Sequence, residues 1–266
     1  MSDSSRTASE ESENILVSDE GRVRIIRMNR PAKKNALTQA MYSALVDALS
    51  AADADEQVRV LLLTGTETVF SAGNDIGDFA TNFSLDDSSP VSRFLHGLVA
   101  ARKPIVAAVN GPAVGIGTTM LLHCDLVYCG RGARFQLPFV NLGLVPEGGS
   151  SLILTAMLGN RRAAELLLLG DPFDAEKARE YAIVNAVLAD GEVYPHALEV
   201  AQALAAKPPK ALRLSKQLLK RWSDEEVRAA LRAEAEHFAE RLHGAEAAEA
   251  MSAFMERRKP DFSRFA

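Results

Sequence analysis

Cysteine is nearly absent. Cys124 and Cys129 are the only two in 266 residues, too few for a disulfide framework or a four-cysteine zinc site. Both lie in or beside an apolar run and read as buried free thiols, in keeping with a reducing cytoplasm. The five histidines are scattered. His123 stands beside Asp125 without metal-ligand spacing, so a core or surface role is expected and no metal site. No apolar run reaches about 18 residues, so no membrane span is expected. The net charge of −5 lacks the basic excess of a general nucleic-acid binder. Ser150 and Ser151 sit in no Gly-x-Ser-x-Gly elbow, which argues against acyl-enzyme chemistry.

What is present suits an ordinary globular protein, with 47% apolar and 24% charged residues. The length allows one large domain, or one with a small appendage. Met1 to Asn14 is rich in Ser and acids and reads as a disordered tail. It has neither the apolar core of a secretory signal nor the Arg-rich character of a transit peptide. The final Arg264-Phe265-Ala266 is not a peroxisomal address. Order begins near Ile15, leaving an α/β core over 15–200 and a helical region over 201–266.

Val23, Ile25 and Met28, with arginines between them, read as a partly exposed strand. The loop Arg30 to Asn35 concentrates cations. Thr38 is a natural cap for a helix carrying Met41, Leu45, Ala48, Leu49 and Ala52 on one face. Val58 to Thr64 reads as a buried strand, and Thr81 to Pro90 as a mobile polar loop. Arg93 to Ala101 is a short helix. Beyond Ser151 helices dominate: Leu152–Leu158, Arg161–Leu169 and Asp174–Tyr181, the last capped by Asp174. Ile183 to Leu188 is a short strand candidate. From Val193 the chain is helical, with breaks at Pro208-Pro209 and Trp222-Ser223, and the last helix is expected over 223–258.

Lys103 to Ser151 organises the rest. Ile105 to Val109 has no polar alternation, so that strand is expected to be covered on both faces, as in a parallel sheet. Asn110-Gly111-Pro112 stops it. Gly115-Ile116-Gly117 follows where a helix begins, and the first N–H groups of a helix have no internal partner, so a negative oxygen could be held there. A second Gly-containing turn, Phe70 to Ile76, also follows a strand. Read singly, these glycines need only permit tight turns.

The ordered set of segments resembles the crotonase superfamily, the enoyl-CoA hydratase and isomerase fold. It comprises Asn29-Arg30-Pro31 with Lys34 to Leu37, Phe70 to Asp75, Asn110 to Gly115 with Cys124-Asp125, Pro208 to Lys216, and Met255 to Phe262. The likeness runs from Ile15 to Phe262. It implies a spiral of repeated ββα turns with C-terminal helices that pack homotrimers, often paired into hexamers. It also implies an acyl-CoA thioester as substrate, with CoA arriving as part of it and no further cofactor. The thioester enolate would be held by the backbone N–H groups of Asn74 and Ile116. Such a donor is worth about 10²–10³ in rate. The pocket around them would draw on Ala36, Ala72, Gly73, Asp75, Ile76, Gly115 and Phe139. Lys33, Lys34, Phe254 and Lys259 fall where the family contacts the CoA adenine and phosphates, although surface solvation accounts for each nearly as well. Asp75 also reads as a turn cap.

The acids decide the chemistry. Hydratases of this family use two glutamates, and the corresponding positions here are Thr119 and Phe139, neither of them a base. Glu147, within Gly143 to Ser151, stands where the Δ3,Δ2-enoyl-CoA isomerases place a single catalytic glutamate. The resemblance therefore implies an isomerase that moves the double bond of a 3-enoyl thioester to the 2-trans position through a dienolate, as in fatty acid β-oxidation. The alternatives are a hydratase or another acyl-CoA reaction using Glu147 alone, and a non-catalytic acyl-CoA-binding homologue. Read locally, Glu147 is equally a helix-start acid. The helix dipole would lower its pKa and desolvation would raise it.

Overall fold

Val60–Thr64 (β3) and Ile105–Val109 (β4) are buried along their whole length, as a run without polar alternation requires when both faces are covered. The computed structural model describes residues 14–78, 88–220 and 224–265. The expected tail before Asn14, the polar loop over 81–87 and the expected break at Trp222-Ser223 lie outside the described residues.

Strands β3 and β4 are the middle of a six-stranded sheet with β1 (Ile15–Glu20), β2 (Val23–Met28), β6 (Leu126–Gly130) and β9 (Ala186–Leu188). The strand order is β1-β2-β3-β4-β6-β9. The β1–β2 pair is antiparallel and every other pair in this sheet is parallel. Helices α1 (Gln39–Ala54) and α2 (Pro90–Ala100) cover one face, with Leu61, Leu63, Ala107 and Val109 beneath them in the main core. Their starts are set by side chains: Thr38 accepts the Met41 N–H and Ser89 the Ser92 N–H.

After β4 the chain turns at Asn110-Gly111 into β5 (Pro112–Val114) and then α3 (Ile116–Thr119). After β6 it turns in the same way into β7 (Arg134–Gln136), which pairs with β5 and with β8 (Phe173–Asp174) in a second sheet. Strand, short strand, helix recurs, and this is the expected ββα spiral. A bridge between Ser71 and Ala113 ties the turn after β3 to β5.

The later helices are α4 (Ser150–Leu158), α5 (Asn160–Ala164), α6 (Ala175–Glu180), α7 (Val193–Ala205), α8 (Pro209–Lys220), α9 (Asp224–Leu242) and α10 (Ala245–Met255). Asp174 caps α6 by accepting the Lys177 N–H. Val193, Ala197, Ala201 and Ala205 of α7 close the other face of the large sheet over Val60, Leu62, Val106 and Ala108. Residue 200 lies inside this helix. The expected helix over 223–258 is two helices, because Gly244, a weak helix former, takes an extended conformation between α9 and α10. The segment expected as one helix to Leu169 changes at Glu165 into a π-turn closed by left-handed Gly170.

No described helix is long and apolar enough to cross a membrane. Among the described residues no group of three or more His, Cys, Asp or Glu is placed to hold a metal ion. Both cysteines are free thiols, and burial pushes each up to about 12.

Candidate active site

The loop before α1 and the two glycine turns form one hydrogen-bonded unit. Asn35 is fully buried and in a left-handed conformation. Its amide donates to the carbonyls of Val69 and Phe70, and its oxygen accepts the Arg30 N–H. This fixes the loop against the first turn. The Ala72 N–H donates to Lys34 O, Leu37 to Gly73 O, and Asp75 to Leu37 O. Ser71 in turn exchanges backbone bonds with Pro112 and Val114 of β5, so the first turn is bolted to the second.

Neither the Asn74 amide nor the Ile116 amide donates to any acceptor among the described residues. Ile116 opens α3, whose first N–H groups have no intrahelical partner. Gly117 explains the need for a small residue here. A Cβ on it would come within 2.7 Å of the Ser71 carbonyl oxygen, so any side chain would force the two turns apart. Asn74 is also held through its side chain, whose Oδ1 accepts the Tyr42 hydroxyl at 2.5 Å. Tyr42 is buried on α1. Burial first, then the charges of Glu147 and Asp78, raise its phenol well above the ordinary value, so it acts as a neutral donor.

Glu147 is 6% exposed. Its Oε1 accepts the Thr119 hydroxyl at 2.6 Å. Burial pushes the carboxyl up to about 8; the Thr119 hydrogen bond opposes this and the Glu234 charge adds to it. Of the two opposing effects on this acid, desolvation wins. Glu147 is not the acid at the start of α4. Only its backbone carbonyl meets that helix, accepting the Ser150 N–H. The carboxylate that caps α4 is Glu234 of α9, which accepts the Gly149 N–H at 2.6 Å, the Ser151 N–H at 2.9 Å and the Ser151 hydroxyl at 2.5 Å. On the other side of the loop, buried His123 donates from Nε2 to the Gly148 carbonyl at 2.8 Å. Burial pulls His123 down to about 4, so the ring is neutral at physiological pH.

The structure thus gathers Asn74, Ile116, Thr119 and Glu147 around the junction of the two turns. Ala36, Ala72, Gly73 and Gly115 line the same hydrogen-bonded unit. Asp75 pairs with Arg30 at 2.7 Å and accepts the Gly77 and Asp78 N–H groups, as a turn cap does. Phe139 is buried in the main core at the start of the 140–142 turn, and Ile76 is exposed. Lys33 and Lys34 are exposed on the loop beside the first turn. Phe254 and Lys259 are exposed at the end of α10 and beyond it, and no described contact joins them to the turns or to Glu147. Sequence reasoning missed Tyr42 and Glu234. Tyr42 leaves no signal, since it lies on an apolar helix face. Glu234 does leave one: Val227, Leu231, Glu234 and Phe238 form a single buried stripe with a charge in its middle.

A ββα spiral with two backbone donors left free among the described residues, beside a buried carboxyl, is an arrangement that can hold a developing negative oxygen next to an acid–base group. The sequence profile of the family described as "Enoyl-CoA hydratase/isomerase" matches residues 18–264, and the chain belongs to that family. The 2,3-dehydroadipyl-CoA hydratase of Escherichia coli K12 is 34% identical over 93% of this chain and 98% of its own length. Enoyl-CoA delta isomerase 2 of Rattus norvegicus is 35% identical over 83% of this chain and 58% of its own length. Among solved structures, Pseudomonas aeruginosa OdaA is 50% identical with a TM-score of 0.90, covering 92% of this chain and 100% of that one. The protein is an enzyme with acyl-CoA hydratase/isomerase chemistry of the crotonase type.

Proposed function

We propose that the protein is a Δ3,Δ2-enoyl-CoA isomerase with Glu147 as its single base and the Asn74 and Ile116 amides as the oxyanion hole. Glu147 takes a proton from C2 of a 3-enoyl thioester, and the two N–H groups receive the negative charge that develops on the thioester oxygen. The same carboxyl then returns a proton to C4 of the dienolate. One group that gives back what it took suffices, and these steps call for no metal or redox group.

The observation that carries this reading is the Thr119–Glu147 contact. Where the family's hydratases have a glutamate, this chain has a hydroxyl that serves the remaining acid. A carboxyl near 8 is also matched to a reversible proton transfer at neutral pH. The test is turnover of a 3-enoyl-CoA to the conjugated 2-enoyl-CoA by wild type and by Glu147→Gln, with water addition to a 2-enoyl-CoA measured beside it. Isomerisation that collapses in the variant, with negligible hydration, supports the proposal. A variant as fast as wild type would overturn it.

A second reading, hydration with Glu147 alone, is favoured by a relative named as a hydratase at an identity close to that of the isomerase. Dominant water addition in the same assay would select it. Acyl-CoA binding without any turnover would select a non-catalytic homologue. The assembly we propose is a homotrimer or a pair of them. Exposed Leu214, Leu218 and Leu219 on α8, with Phe254 and Met255 on α10, offer the apolar surface that subunit contacts would cover.

A further inference from the structure

Gly148 and Gly149 are both left-handed, at φ 71° and 74°, and they stand between Glu147 and the first turn of α4. Two adjacent glycines make the least restrained link a chain can have. Nothing in the local sequence caps α4, because its N-cap is Gly149 and has no side chain. The link must be held from outside. Glu234, 85 residues away in the chain, takes the Gly149 N–H, the Ser151 N–H and the Ser151 hydroxyl in one carboxylate.

Several features mark this as more than an ordinary cap. Glu234 is 7% exposed and has no cationic partner among the described residues, so its burial rests on those three donors. It occupies an apolar-stripe position of α9, between Leu231 and Phe238. An aliphatic residue there would pack without such a cost. It also grips both sides of Ser150, whose N–H donates to the Glu147 carbonyl.

We propose that Glu234 is a positioning residue for the reaction. By clamping the Gly148-Gly149 link it fixes where the Glu147 carboxyl stands relative to the two turns. The inference rests on Glu147 being the base. It makes α9 a part of the catalytic machinery.

The electrostatics run the same way. The groups facing Glu147 are the Thr119 hydroxyl from α3, the neutral Tyr42 phenol from α1, and Glu234 from α9. His123, on the turn after α3, faces the Gly148 carbonyl and is neutral. Glu234 is the other acid of this set; burial raises its own carboxyl above the ordinary value while the Ser151 and Gly149 donors hold it down, and its ionised form favours the protonated form of Glu147. Removing that charge lets Glu147 ionise at lower pH.

The experiment uses Glu234→Gln and Glu234→Ala in the full chain. The primary readout is the infrared carboxyl band of Glu147, identified by subtracting Glu147→Gln and titrated with pH. This needs no turnover. In Glu234→Gln, which keeps size and one acceptor oxygen, the midpoint is expected to fall by about one pH unit. The second readout is the split of kinetic constants with a 3-enoyl-CoA. In Glu234→Ala, kcat is expected to fall about 10- to 100-fold with KM changed less than about threefold, and Glu234→Gln should recover part of the loss. An unchanged midpoint in Glu234→Gln, or folded Glu234→Ala with wild-type kcat, would overturn the proposal and leave Glu234 a structural cap. If wild type isomerises no 3-enoyl-CoA, the functional reading fails by itself, while the titration still decides whether Glu234 sets the state of Glu147. If Glu234→Ala does not fold, Glu234→Gln carries both readouts.

Discussion

Thr119 and Glu147 share a hydrogen bond of 2.6 Å across 28 residues of chain. Thr119 ends the short helix that Ile116 begins. Residues three apart on a helix lie on one face, about 4.5 Å apart along the axis. One helical turn therefore joins the proposed oxyanion donor to the partner of the proposed base.

Removing the hydroxyl should expose its role. In Thr119→Val the carboxyl loses the contact that favours its ionised form, so its midpoint moves above 8. The rising limb of kcat/KM against pH is expected to shift to alkaline pH. The rate at pH 7 should fall about tenfold while the high-pH plateau stays near wild type. A profile that does not move would separate Thr119 from the base.

Wild type itself has a predicted profile. With Glu147 near 8, the basic form is the minority species at pH 7. The value of kcat/KM for isomerisation is expected to climb about tenfold per pH unit below that value and level off above it. Glu147→Gln should lose about 10²–10⁴ of the rate at the plateau. Steady-state kinetics from about pH 5 to about pH 9 would check both.

Stability should move in the opposite sense to activity. Between the ordinary glutamate value and 8 the folded protein holds a proton on Glu147 that the unfolded chain has lost. Its stabilising effect is present below the unfolded value and disappears as pH rises through the folded one. Glu147→Gln removes this dependence. The variant should match wild type near pH 5 and exceed it at pH 9 by an order of a few kcal/mol. Denaturant titrations at the two pH values would show it, and equal differences at both would contradict it.

Gly117 offers a steric test of the paired turns. In Gly117→Ala the new methyl meets the Ser71 carbonyl oxygen at 2.7 Å, and backbone must yield. A cost of about 1–3 kcal/mol in stability is expected. Loss of one donor's alignment should lower kcat by about 10²-fold. Retained acyl-CoA binding with reduced kcat would be the signature.

Tyr42→Phe leaves the Asn74 side-chain oxygen without its donor inside the protein. Asn74 is half-buried, so the orphaned acceptor costs less than the penalty of about 1–3 kcal/mol for a fully buried one. Because the same residue carries the proposed oxyanion N–H, kcat should fall about tenfold beside the loss of stability. Unchanged kcat in a folded variant would limit Tyr42 to packing.

Much of this protein is legible in its sequence because the signals are local. The uninterrupted apolar runs of β3 and β4, the caps at Thr38 and Asp174, and the glycine turns at Gly73 and Gly115 to Gly117 each depend on a few neighbouring residues. So does the expectation of free thiols, of which Cys129 is buried and Cys124 half-buried. The single helix expected over 223–258 failed because alanine and glutamate propensity summed over a long window outweighed one glycine, Gly244, which in the fold simply turns the chain. Glu147 was legible as an acid in the right stretch, while its partner was not.

What the sequence determined by itself is the kind of fold and the identity of the groups: strands of period two and buried runs, turns that demand glycine, and one acid where two are absent. What the tertiary structure alone decided is the state of that acid. Propensity and spacing describe neighbours along the chain, whereas the charge of a carboxyl depends on what surrounds it in space. Thr119, Tyr42 and Glu234 come from three separate helices, and no local pattern links them to Glu147. Burial in the corner where they meet pushes the Glu147 carboxyl up to about 8 against the Thr119 hydrogen bond, with the Glu234 charge adding to it, while Glu234 takes the helix end that Glu147 left free.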